Sequence, residues 1–119
     1  MGANDNLRGM GRVDDALMTL REMPLGTERA LQLAGLITTL FKINGVVLVA
    51  TGQLAFHGYA DTRYDHPEID FASISGGLPP RTVLEIMRGQ IHAKGSVYDW
   101  KVGRIAVRFQ ENERIWNRE

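Results

Sequence analysis

The chain has 119 residues, enough for one domain with a modest core, and its 44% hydrophobic and 24% charged residues are those of an ordinary soluble globule. Lys plus Arg equals Asp plus Glu at 14 each, which argues against a dedicated nucleic-acid binder. There is no cysteine, so disulfides, thiolate nucleophiles and Cys-type zinc sites are excluded.

The charge is unevenly spread. Residues 1–80 hold six basic against nine acidic residues, and residues 81–119 hold eight against five. This asymmetry suits a phosphate ligand or a partner, and it equally suits two solvated faces of opposite tint. No apolar run approaches the roughly 20 residues that span a bilayer. The opening MGANDNLRGMGR has no apolar core of the kind a signal peptide carries, so the expected location is the cytoplasm.

Residues 1–11 contain three Gly and two Asn and little to bury, and read as a disordered arm ahead of a single α/β domain over residues 12–119. Val13, Ala16, Leu17 and Leu20 then recur at helical spacing, with Asp14 and Asp15 in the first turn. After a break at Met23–Thr27, Thr27 is expected to cap a second helix running to about residue 43. Its face is Leu33, Ile37, Leu40 and Phe41, and Asn44-Gly45 forms its stop.

Val46 to Ala50 reads as a buried strand, and Gln53 to Tyr59 as a two-turn helix closed by Gly58. A polar connection leads to a strand after Pro67, suggested by Ile69, Phe71 and Ile74. Pro79 and Pro80 then open a helix with Val83, Ile86 and Met87 on its apolar face. Residues 91–109 read as strand material with a turn near Val102-Gly103. In the last strand Ile105, Val107 and Phe109 alternate with Arg104, Ala106 and Arg108. The expected fold is therefore an α/β or α+β sandwich, a small mixed sheet packed by helices, with two helices at the N-terminal end.

Two constellations could carry chemistry. The first is the turn after the Val46–Ala50 strand. There Gly52 lets a ligand approach the backbone, and Thr51 and Gln53 add donors beside a helix start that favours anions. The second is Glu68-Ile69-Asp70. Two residues apart on a strand, both carboxylates point one way, a costly pairing unless a cation or a basic group lies between them. Hard oxygen ligands of this kind suit Mg²⁺ together with a nucleotide's phosphates.

The histidines offer a weaker possibility. His57, His66 and His92 could join Asp61, Asp65 and Glu68 around a transition metal, but no metal-ligand spacing links them. The basic side Lys94, Lys101, Arg104 and Arg108 reads as a solvated strand face or a phosphate contact.

The run GVVLVATGQLAFHGYAD followed by EIDFA resembles the minimal nucleotidyltransferase superfamily, including its small antitoxin-type and phage-resistance-type members. The matching residues are Gly52, Ala55, Gly58 and Tyr59, with Glu68 and Asp70 where an Asp-x-Asp pair stands, over roughly residues 30–75. The resemblance implies a nucleotidyltransferase-like fold that moves a nucleotidyl group from an NTP to a protein or nucleic-acid acceptor. Thr51, Gly52 and Gln53 would hold the triphosphate, and Glu68 and Asp70 would bind Mg²⁺. A third carboxylate from a later strand would act on the acceptor hydroxyl, with Glu111 as first choice and Asp99 in reserve. Gln53 replaces the small residue usual in that turn, and Glu68 replaces an Asp, so a catalytically silent member is also consistent.

The alternative is a non-catalytic protein-interaction module, such as a regulator, inhibitor or antitoxin-type partner. Trp100 or Trp116 would anchor its partner.

Overall fold

A computed structural model describes residues 2–51, 68–75 and 77–111, with side chains described from residue 12 onward. Among these residues the chain runs α1 (Gly2–Glu22), α2 (Thr27–Ile43), β1 (Leu48–Thr51), β2 (Glu68–Ser73), α3 (Arg81–Ile91), β3 (Lys94–Gly95), β4 (Asp99–Val102) and β5 (Ile105–Phe109). It is the small α+β arrangement expected, with helices packed on a five-stranded mixed sheet. The short helix read over Gln53–Tyr59 lies outside the described residues.

α2 is the centre of the helical layer. Ala30, Leu33, Ala34, Ile37 and Phe41 recur along one stripe and are buried, as a 3.6-residue period requires. The N-cap is Gly26 rather than Thr27, which is itself the first helical residue. The helix ends as Asn44-Gly45 implies. Gly45 takes the left-handed φ of 79°, its N–H bonds the Lys42 carbonyl at 3.0 Å, and the Val46 N–H bonds the Phe41 carbonyl at 2.9 Å. That pair of bonds satisfies two carbonyls the helix would otherwise leave open, and it aims the chain into β1.

α1 buries Val13, Leu17 and Leu20 against α2 and α3. The bounds of α1 take in residues 2–11, where composition reads as a disordered arm. Extending a helix that is already docked costs far less than nucleating one. On α3 the buried face is Leu84, Met87 and Ile91, while Ile86 is 55% exposed. Ile86 lies one residue, about 100° of helical arc, from the Met87 row, so only one of the two can face the core.

The strand order is β1-β2-β5-β4-β3. β2 and β5 run parallel, and the other neighbours are antiparallel. The chain returns from β2 through α3, β3 and β4 before β5 inserts beside β2. The β4–β5 hairpin turns on Gly103-Arg104 with Val102 opposite Ile105. Gly103 has φ 61° and Arg104 does not share the positive sign, which is the pattern of a two-residue II′ turn.

The helix-facing side of the sheet is a closed apolar layer. Ile69, Phe71, Trp100, Ile105, Val107 and Phe109 all join the core with α2 and α3. Its densest part is aromatic. Phe41 lies 5.4 Å from Phe109 and 6.1 Å from Trp100, and Trp100 meets Phe109 edge-on at 4.7 Å between ring centroids. Such tilted and edge contacts suit the aromatic quadrupole and add to the area the rings bury. At the far end of β2 the buried Ser73 hydroxyl bonds the Gly77 carbonyl at 3.0 Å, which keeps this polar group satisfied.

Among the described residues no helix is long and apolar enough to cross a membrane.

Candidate functional site on the open face of the sheet

Strand alternation decides which side chains the other face of the sheet receives. Ile69 is fully buried while its neighbours Glu68 and Asp70 are half-exposed, so the two carboxylates share one side as the spacing predicts. Register then sets their company. Asp70 stands between Thr51 of β1 and Arg108 of β5, and Arg108 stands opposite Asp99 of β4. One step along, Glu68 pairs with Ala106, Ala106 with Lys101, and Lys101 with Lys94. The open face therefore carries one row reading Thr, Asp, Arg, Asp and a second reading Glu, Ala, Lys, Lys.

The basic group beside the paired acids is a guanidinium. Arg108 Nη2 lies 3.9 Å from Glu68 Oε1, and Arg108 is the direct cross-strand neighbour of Asp70. Both ends of the pair are about half exposed, at 52% and 42%, so water screens it and its contribution to stability is small. Its effect on Asp70 is local. Partial burial pushes the Asp70 carboxyl above its ordinary value, the Arg108 charge opposes that rise, and the Glu68 charge adds to it.

The remaining site residues take varied positions. The Thr51 hydroxyl donates to the Asp70 carbonyl at 3.3 Å, tying two strands together beside the acid. Glu111 is exposed just beyond the end of β5. Asp99 is on the acidic face, but two strands from β2, or about 10 Å at ordinary strand spacing. Gly52 and Gln53, with His57, His66 and Trp116, lie outside the described residues.

His92 sits apart from the open face. It ends α3 in the left-handed conformation with φ 60°, and its Nε2 lies 3.2 Å from Asp14 Oδ1. Among the described residues no three His, Asp or Glu side chains gather into a group that could hold a metal ion.

The donor set open to Mg²⁺ is thus two carboxylates with a loosely paired guanidinium beside Glu68. Magnesium demands near-octahedral oxygen coordination, and Arg108 supplies charge there without oxygen. Among the described residues the donors are therefore two carboxylates, which would serve Mg²⁺ only together with phosphate and water oxygens, with Arg108 as a competing charge.

Trp100 corrects one expectation. It is only 2% exposed, and its indole N–H bonds the Val97 carbonyl at 2.9 Å. Its place opposite Val107 puts the ring on the helix side of the sheet, where burying a large aromatic is most favourable. It anchors the core and offers no partner a surface.

The residue that sequence reasoning underweighted is Arg108. Its alternation with Val107 and Phe109 marked it as outward-facing, but nothing local placed β5 beside β2. No family model, curated protein or solved structure matches the chain.

Proposed function

We propose that the chain is a non-catalytic interaction module built on a nucleotidyltransferase-like arrangement, with the cytoplasm as its setting. One observation supports this reading: a cation of the protein's own, Arg108, lies 3.9 Å from Glu68 and stands cross-strand from Asp70. Arg108 offsets part of the repulsion between Glu68 and Asp70, as its opposing pull on the Asp70 carboxyl indicates. What remains on the open face is a mixed-sign row suited to a protein partner of complementary charge.

The test is thermal melting with Mg²⁺ and each NTP in turn. The module reading expects no concentration-dependent rise in Tm. A saturable rise that Asp70→Asn abolishes would overturn it in favour of the transferase.

A second reading has support in one observation, the common face of Glu68 and Asp70 at the end of the sheet where β1 runs out at Thr51. On that reading the domain transfers a nucleotidyl group from Mg²⁺-NTP. Arg108 would have to turn away to admit the metal, and Asp99 is better placed than Glu111 to complete the acidic set.

A further inference from the structure

A second polar site lies far from the acidic pair in the sequence and goes beyond the module reading. The end of α1, the start of α2, the end of α3 and the β4–β5 hairpin meet around a cleft of about 30 Å³. Its floor is apolar, from Leu20, Leu33 and Ile91, and its polar wall is Arg21, Arg29 and His92. Arg29 is half-buried against the hairpin, where a Cβ placed on Gly103 would lie 3.0 Å from its Nη2. Among the described residues neither Arg21 nor Arg29 has a hydrogen bond or ion pair. On the same side, His92 is engaged with Asp14 at 3.2 Å.

Stability gives no account of this arrangement. Arg29 is the third residue of α2, in the first turn, where the helix dipole disfavours a cation. Two guanidiniums brought to one concave spot also repel unless an anion lies between them. The cleft holds two or three waters at roughly 10–15 Å³ each, far below a pocket for a whole small molecule. It has room for one anionic group with the rest of the ligand outside.

Charge count selects the group. A carboxylate would answer one guanidinium and leave the other, whereas a phosphate dianion answers both and accepts from the planar forks of each. We infer that the Arg21–Arg29–His92 cleft is a phosphate-binding subsite, taking inorganic phosphate or the terminal phosphate of a phosphomonoester.

The test is a ¹H–¹⁵N NMR titration of the full chain with inorganic phosphate, a sugar phosphate and a nucleoside monophosphate, with acetate as control. Phosphate is expected to give saturable shifts at Gly103 and His92, and Tm should rise by about 5 °C at ten times the dissociation constant. Arg29→Gln and the more exposed Arg21→Ala should each weaken binding at least tenfold. Phosphate also stabilises proteins by surface exclusion, so only the part of the Tm rise lost in the variants counts. Equal saturation by all three phosphates fits a bare phosphate subsite. Tighter binding by one ester fits the terminal phosphate of a larger ligand. Linear shifts unchanged in both variants, or acetate binding as tightly as phosphate, would overturn the proposal. Neither result bears on Arg108, so this site can fail without affecting the reading of the acidic pair.

Discussion

The two faces of this sheet are built from the same strands and obey different physics. On the helix side nearly every position is apolar, the buried Ser73 at the end of β2 being an exception, and its cost or benefit is a matter of packing, so neighbours are shared and substitutions are expensive. On the other side the rows from Thr51 and Glu68 carry charge, the Arg108–Glu68 pair is screened by water, and a substitution in those rows changes chemistry more than stability. Arg108 and Trp100 illustrate the contrast, since each is a direct cross-strand partner in the β4–β5 ladder. One is half exposed and loosely paired, while the other is 2% exposed and packed edge-on against Phe109.

The largest expected effect is on the packed side. Trp100→Ala removes a ring from the aromatic cluster and leaves a cavity, and should cost about 3–5 kcal/mol in urea unfolding. A loss under about 1 kcal/mol would show that the cluster is not the core of the fold. Next comes the β3–β4 connection. Gly95 has φ 102°, and a Cβ there would run into the Asp99 carbonyl. Gly95→Ala should therefore cost about 2 kcal/mol by the same measurement, from backbone strain and the displaced strand end.

On the open face the effects shrink and change character. Arg108→Ala should cost less than about 1 kcal/mol, since its pair with Glu68 is long and wet. The Asp70 carboxyl should nevertheless titrate at higher pH in that variant, because the opposing charge is gone, and carbon-detected NMR would follow it.

The smallest shift is that of Asp70→Asn. The folded chain holds the Asp70 proton to higher pH than the unfolded chain does, so ionisation costs stability as pH rises above the ordinary value of 3.8. Asp70→Asn should therefore be slightly more stable than the parent at neutral pH. That advantage should vanish once pH falls below the ordinary Asp range. Melting curves across pH that show the variant less stable at pH 7 would contradict the direction.

Much of the fold was legible because it rests on local signals. The period-two pattern from Ile105 to Phe109, the common face of Glu68 and Asp70, and the Asn44-Gly45 stop each follow from residues within a few positions. What was not legible is pairing at a distance. Asp70 and Arg108 are brought together by a parallel register that no local pattern encodes. Without it the acidic pair looks open to a metal, just as Trp100 looks available to a partner until its place opposite Val107 and beneath the helices is known. The α3 face went astray for a smaller reason. Leu84, Met87 and Ile91 recur at i, i+3 and i+7, whereas Ile86 meets Gly89 and Gln90 at the matching positions, so the longer stripe is the one that is buried. The cleft at Arg21 and Arg29 left no motif, because its members come from four separate elements.

The role of Arg108 as the protein's own counter-ion is tested most directly by calorimetric titration of Mg²⁺ into the parent chain and into Arg108→Ala, without nucleotide. If Arg108 answers the acidic pair, the parent gives no saturable binding, and the variant, with Glu68 and Asp70 left facing each other, gains a weak site. Saturable binding to the parent, as tight as to the variant and lost in Asp70→Asn, would contradict it and return the pair to the service of a metal.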